Sequence, residues 1–330
     1  MRKMLRPLSR VFSALMVVSL LTISMAVPMV SAQTNQVVVA DVSISENGAT
    51  VAVQLVGFSD LQSGVVWLEF DETLVQAVSA SNGNLGDLGY GAPQPAIDNV
   101  NGTVSLSWGR VGGISVTGTL FSVTFTPIKA GSFVFALGAS TLFEDSATNP
   151  IVYSSQLGTA TVLPPNSVWV NKDWCGSDPG EMVGDGYTFG YNAFCDIQEG
   201  VDAIEADDPD NGGTVNVLSS EYVDVYSAFT ISEDDIEVIG IEDGANVGSG
   251  ALVDHANGCT IENLSFTGTV ECDTTDDTTL RDLTIGSGGD GIYIHDGNAF
   301  TVTVDNCYIA NKTNGIYVVN DIAIVTNTTI

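Results

Sequence analysis

Short runs in which apolar and polar residues alternate fill the first half of the chain. Val37–Ile44 and Thr50–Leu55 are two of them, joined through Asn47-Gly48, whose tolerance of positive φ suits a hairpin turn. Gly64–Phe70, Gly102–Trp108, Leu120–Thr126, Ser132–Leu137 and Gly158–Val162 follow, with no helical periodicity between them. The pattern predicts an all-β fold, an antiparallel β-sandwich over residues 33–163. Pro164-Pro165 then opens a stiff linker over 164–172.

The second half, 173–330, is organised by repeats. Ile261-Glu-Asn263-Leu264-Ser-Phe266 aligns with Leu280-Arg-Asp282-Leu283-Thr-Ile285, with Val304-Asp-Asn306-Cys307-Tyr-Ile309 and with Val325-Thr-Asn327-Thr328-Thr-Ile330. Asp290-Gly291-Ile292-Tyr293-Ile294 returns as Asn314-Gly315-Ile316-Tyr317-Val318. Coils of about 20–25 residues with stacked apolar columns predict a right-handed parallel β-helix. Asn263, Asp282, Asn306 and Asn327 fall at one corner, where their side chains are expected to form a structural ladder. Gly291 and Gly315 are expected to permit a sharp bend before the next strand. The columns are still running at Asn327–Ile330, so the solenoid is expected to be incomplete at its C-terminal end. Within 196–205, Ile197, Val201 and Ile204 share a face, and Asp196 and Glu199 have N-cap and N3 spacing, which predicts a helix covering the N-terminal end of the solenoid.

Residues 1–32 read as a secretory signal: Arg2, Lys3, Arg6 and Arg10, then an uncharged apolar run from Val11 to Val27, then Val30-Ser31-Ala32. The competing reading is an uncleaved membrane anchor. No later stretch is long and apolar enough to span a bilayer, so a secreted, extracellular or cell-surface location is expected. Past the signal, 40 acidic residues face five basic ones, a charge of −35. Residues 33–163 hold 10 acidic and 2 basic residues, whereas 164–330 hold 30 and 3. Such a surface repels phosphate and excludes nucleic acid as a partner. No motif calls for a cofactor; calcium stays open, because this charge suits either a saline habitat or calcium binding.

In the first half, Trp67-Leu-Glu-Phe-Asp71-Glu-Thr-Leu74-Val, Gly118–Phe125 with Lys129-Ala-Gly131, and Asp145 through Gly158-Thr-Ala-Thr-Val162 resemble the strands of a cohesin domain. The resemblance implies a jelly-roll sandwich that holds a dockerin-bearing protein or touches polysaccharide. Trp67, Tyr90 and Trp108 are the candidate sugar platforms, Trp67 and Trp108 having core positions as their alternative. In the second half, Asp196–Ile204 followed by Asn211-Gly-Gly-Thr-Val-Asn-Val217 resembles the start of the pectate-lyase-like β-helix family.

That likeness speaks to fold and not to activity. Asp276-Asp277 is present, but the Gly-His-Gly and Arg-x-Lys segments of polygalacturonase-type members are not, and Arg281 has no second base in its coil. No catalytic residue is therefore assigned, and no metal ligand. His255 and His295 read as solvated turn residues, and Asp208–Gly212 as a turn, since Ser219 stands where a calcium loop closes with Glu. Cys175 and Cys195 are a candidate disulfide; Cys259 and Cys272 are a weaker pair, and Cys307 shares the apolar column of Leu264 and Leu283. The expected role is binding and display in polysaccharide-associated matter. A polysaccharide lyase or glycoside hydrolase and a structural adhesin are the alternatives.

Overall fold

The structure is a computed structural model that describes residues 35–84, 94–184, 186–205, 212–219, 225–242, 244–286, 288–295, 297 and 300–330. The signal segment and Tyr90 lie outside the described residues.

The sandwich is built around one long hairpin. Ala49–Glu69 pairs antiparallel with Thr103–Pro127, and bulge-like register shifts interrupt the pairing between Val53 and Ser63. Gly57 and Asp60, with φ of 71° and 56°, sit at these shifts. The sequence pattern suggested separate strands at Thr50–Leu55 and Gly64–Phe70; the bulged turns join them instead. Two pairings are parallel and tie the start of the domain to its end: Gln36–Val39 with Ser154–Leu157, and Val42–Ile44 with Thr159–Val162. Val37, Val53, Leu55, Leu68, Phe121, Phe125, Phe135 and Phe143 form its buried core.

The second half is a parallel β-helix of three sheets. The first stacks Ser167–Val170, Thr214–Val217, Glu237–Gly240, Thr260–Glu262, Thr278–Arg281, Thr301–Asp305 and Ile322–Thr326, with Ala193–Phe194 at its outer edge. The second stacks Phe229–Ile231, Ala251–Asp254, Val270–Asp273, Asp290–His295 and Asn314–Val318. Ala245–Val247, Leu264–Phe266, Thr284–Ile285 and Tyr308–Ile309 make the third. Every pairing within these sheets is parallel and in register, so one residue per coil faces the same residue of its neighbours. Val168, Val215, Val238, Ile261, Leu280, Val304 and Val325 form one such column. Its members up to Val304 are fully buried, each worth about 1.5–3 kcal/mol of transfer from water. Val325, on the last coil described, is 45% exposed, as are Ile322 and Ile324 at 47% each.

Asn263, Asp282, Asn306 and Asn327 occupy equivalent corners with φ of 54°, 55°, 51° and 50°. Asn and Asp tolerate this left-handed backbone because their short polar side chains bond locally. Asn263 donates to the carbonyls of Gly240 (2.8 Å) and Glu242 (3.2 Å), Asn306 donates to the Asp282 carboxylate, and Asn327 donates to Asp305 at 2.9 Å. The contacts thus reach both backbone and side chains of the preceding coil. Gly291 and Gly315 serve a different purpose from the one their sequence context suggested: neither has positive φ. A Cβ on Gly291 would stand 2.6 Å from Ile309 Cγ2, and one on Gly315 would collide with Ile330, so these glycines permit close coil packing.

The helix Ile197–Glu205 buries Ile197, Val201 and Ile204 against the end of the solenoid, and Asp196 accepts from the Gln198 amide at 3.2 Å. Cys175 and Cys195 are disulfide-bonded with Cα atoms 5.0 Å apart. Cys259, Cys272 and Cys307 are free and buried; burial pushes the thiols of Cys259 and Cys272 up to about 11 and about 12.

The linker is shorter than 164–172, and it does not hold the two halves apart. Ser167–Val170 is already a strand of the first solenoid sheet, preceding Thr214–Val217. Tyr191, from the solenoid's leading segment, is 2% exposed and belongs to the sandwich core. Its hydroxyl donates to the Leu163 carbonyl at 3.0 Å. Burial, with Glu46 adding charge repulsion, pushes its pKa up to about 12.

Two outcomes check this account. Tyr191→Ala is expected to cost about 3–5 kcal/mol, as aromatic-to-alanine changes in cores do, and to uncouple the unfolding of the two halves in calorimetry. Asn306→Ala is expected to destabilise the solenoid by about 1–2 kcal/mol in urea titration followed by circular dichroism, with Asn306→Gly losing less because glycine accepts the left-handed corner. Equal losses for Ala and Gly would show that backbone conformation does not set the choice at this corner.

Candidate functional site

The three sugar-platform candidates separate by burial. Trp108 alternates inward with Val104 and Leu106, is 8% exposed, and packs against Phe143 with ring centroids 6.0 Å apart. Its faces are covered, so it is a core residue and not a platform. Trp67 points the other way along its strand and is half-buried, its backbone amide donating to Thr141 Oγ1 at 3.1 Å. Tyr90 lies outside the described residues.

A denser group of chemistry-bearing side chains stands on the outer face of the second solenoid sheet. Alternation sends Val253, Cys272 and Ile294 inward and their neighbours outward. One outward row is Leu252, Glu271, Tyr293 and Tyr317; the next is Asp254, Asp273 and His295. His255 follows Asp254 at a corner with φ of 57°, and its amide donates to the Asp273 carbonyl at 2.9 Å. Each histidine of the chain thus adjoins this row, His255 beside Asp254 and His295 beside Asp273.

His295 is not the solvated turn residue suggested by Asp296-Gly297 after it. It ends the strand Asp290–His295 and is 9% exposed. Its Nε2 lies 2.7 Å from Glu271 Oε1 and its Nδ1 lies 3.8 Å from Asp273 Oδ1. Thr274 Oγ1 donates to the same Asp273 oxygen at 2.9 Å. The imidazole stacks on Tyr293, with centroids 4.2 Å apart, and Tyr293 stacks on Tyr317 at 5.3 Å and an interplanar angle of 12°. Tyr317 is 46% exposed.

His255 is exposed, with Nδ1 2.5 Å from Asp254 Oδ1. That hydrogen bond raises its pKa first, and the charges of Asp254 and then Asp273 add to the effect. Candidate ligand atoms of Asp254, His255 and Asp273 all lie within 4.8 Å of one another, close enough to share a cation. The cationic side chains of this half are engaged elsewhere: Arg281 with Glu262 and Asp282, Lys172 with Asp196, and Lys312 with the carbonyls of Thr267 and Gly268. The face can accept hydrogen bonds, offer an aromatic edge and move a proton through an imidazole held between two carboxylates.

The members of this face come from three coils, so no local motif marks it in the sequence. The available signal was the register itself: Asp254 and Asp273 are 19 residues apart, and the Asp290–Ile294 repeat carries His295 into the same row. A second feature is a cavity of about 480 Å³ at the junction of the two halves, lined by Ile128, Lys129, Pro179, Phe189, Phe194 and Glu199. Among the described residues no helix is long and apolar enough to cross a membrane.

No protein-family model matches the chain, and no curated protein matches it. Solved cohesins are similar to its N-terminal part. A non-cellulosomal cohesin from the archaeon Archaeoglobus fulgidus is 15% identical, with 39% of this chain and 91% of that one covered and a TM-score of 0.34. A type I cohesin from Clostridium thermocellum, solved in complex with a dockerin, is 14% identical over 39% and 99%, with a TM-score of 0.35. The third cohesin of an Acetivibrio cellulolyticus protein, also solved with a dockerin, is 18% identical over 39% and 99%, at 0.35. The chain folds as a β-sandwich, over which it is similar to solved cohesins, followed by a parallel β-helix.

Proposed function

We infer that the protein is a secreted or cell-surface binding and display protein associated with polysaccharide. The observation that carries this reading is the outer face of the second solenoid sheet. There, the half-exposed Tyr317 extends a near-parallel tyrosine stack on the face that carries three carboxylates. An aromatic ring supplies an apolar surface for the C–H face of a pyranose, and carboxylates accept hydrogen bonds from sugar hydroxyls. Sheet register sets these groups along a straight line, which suits a linear chain of sugars. The net charge of −31 favours a neutral polysaccharide over a polyuronate, because like charges repel. The sandwich is the module proposed to engage carbohydrate or a dockerin-bearing protein, with the outward Trp67 on its contact face. No calcium requirement is part of this reading.

A second reading is favoured by one observation. His295 sits between Glu271 and Asp273, an arrangement able to donate and accept a proton, as a polysaccharide lyase or glycoside hydrolase requires. Release of reducing ends or unsaturated products from the same polysaccharides would select it.

Affinity electrophoresis of the full chain against a panel of neutral and acidic polysaccharides tests the binding reading. Retardation by at least one neutral polysaccharide is expected. Tyr317→Ala is expected to weaken it by up to about tenfold, the equivalent of an aromatic contact of about 0.5–1.5 kcal/mol, with little change in melting temperature. Binding to none of them, or equal binding by the variant, would count against this face.

A further inference from the structure

We propose that the outer face of the second solenoid sheet holds one divalent transition-metal cation of the zinc class, bound by Asp254, His255 and Asp273 with His295 as the fourth ligand.

Four observations support the site, and none depends on glycan binding. First, the ligand atoms of Asp254, His255 and Asp273 lie within 4.8 Å of one another. A tetrahedral zinc site with bonds of about 2.0–2.1 Å places its ligand atoms about 3.4 Å apart, so side-chain rotation of about an ångström closes the set. His255 and Asp254 have side chains 69% and 41% exposed and are free to make that adjustment.

Second, His295 is oriented as ligating histidines are. Its Nε2 is 2.7 Å from Glu271, and its Nδ1 points toward Asp273 at 3.8 Å. A carboxylate on the far nitrogen fixes the tautomer and raises the basicity of the near one, an arrangement typical of the outer shell of a metal site. Stacking on Tyr293 at 4.2 Å holds the ring plane.

Third, the two histidines of the chain are 40 residues apart, yet each contacts one of two aspartates paired in register, His255 with Asp254 and His295 with Asp273. Core packing does not require this, since His255 is exposed. Fourth, Asp254, Glu271 and Asp273 place three carboxylates on one small patch, while the arginine and lysines of this half contact other groups. A divalent cation would offset that repulsion.

The donor chemistry selects the class of ion. Calcium and magnesium take sets of six or more oxygens, with magnesium keeping several waters. Two imidazole nitrogens with two carboxylates instead suit zinc and its neighbours nickel, cobalt and copper. Glu271 is already held by His295, which leaves too few protein oxygens for a calcium cage.

The test is titration calorimetry of the untagged, chelator-stripped full chain with zinc chloride and, separately, calcium chloride. One zinc ion per chain is expected to bind at micromolar or tighter affinity, with calcium far weaker. His255→Ala and Asp273→Asn are each expected to weaken zinc at least about tenfold. Cys259→Ser, Cys272→Ser and Cys307→Ser are expected to leave it unchanged. Should a variant fail to fold, the cobalt(II)-loaded wild-type protein gives an independent readout: weak d–d bands without sulfur-to-metal charge transfer are expected. Absence of zinc binding, equal binding by both His255→Ala and Asp273→Asn, calcium binding tighter than zinc, or thiolate charge-transfer bands would each overturn the proposal.

Discussion

Parallel, in-register pairing between successive coils is the constraint on which the second half of the molecule depends. A coil cannot bury its own apolar face; it must lay Val, Ile and Leu on the same positions of the coil before it. The column from Val168 to Val304 is the result. Because strand faces alternate, inward registration imposes the same registration on the outward residues. Groups 19 to 24 residues apart in the chain are thereby brought to about 4.8 Å spacing across the sheet. Asp254, Asp273 and His295 form one outward row for this reason, and the row inherits its geometry from the core beneath it.

The corners make the register possible. Asn263, Asp282, Asn306 and Asn327 hold left-handed backbone where most side chains would be strained, and each links its coil to a neighbour. The same geometry recurs after the second sheet, where His255 and Thr274 take φ of 57° and 53° in successive coils. At that corner the left-handed turn also returns the His255 ring toward Asp254. A structural necessity of the fold and a chemically active side chain occupy the same position. At the other end, Tyr191 inserts into the sandwich core and joins the two halves.

What was legible in the sequence was what repeats. The apolar columns, the Asn and Asp corner and the cap helix all leave periodic or spaced marks. The buried Cys307 could be placed from its column as well. Features arising from contact between distant segments left none. Ser167-Val-Trp-Val170 follows two prolines and looks like linker, yet it is a strand because Thr214–Val217 and Ala193–Phe194 lie beside it. Trp67 and Trp108 look alike in sequence, and only their opposite strand parity separates surface from core. His295 looked like a turn residue because Asp296-Gly297 follows, whereas the pairing of Asp273 with His295 extends the strand by one residue. Tyr191 gave no sign of its burial, because the surface that covers it belongs to the other half of the chain.

The outward rows depend on the register of the second sheet, and the aromatic residues of that sheet report the register directly. Nuclear Overhauser contacts in protein with protonated Tyr and His rings on a deuterated background are the measurement. The expected result is a continuous set of ring-to-ring contacts from His295 to Tyr293 and from Tyr293 to Tyr317, matching centroid separations of 4.2 and 5.3 Å. A contact from His295 to neither ring, or Tyr293 and Tyr317 too far apart to register, would mean that the coils are offset. The row of Asp254, Asp273 and His295 would then not exist.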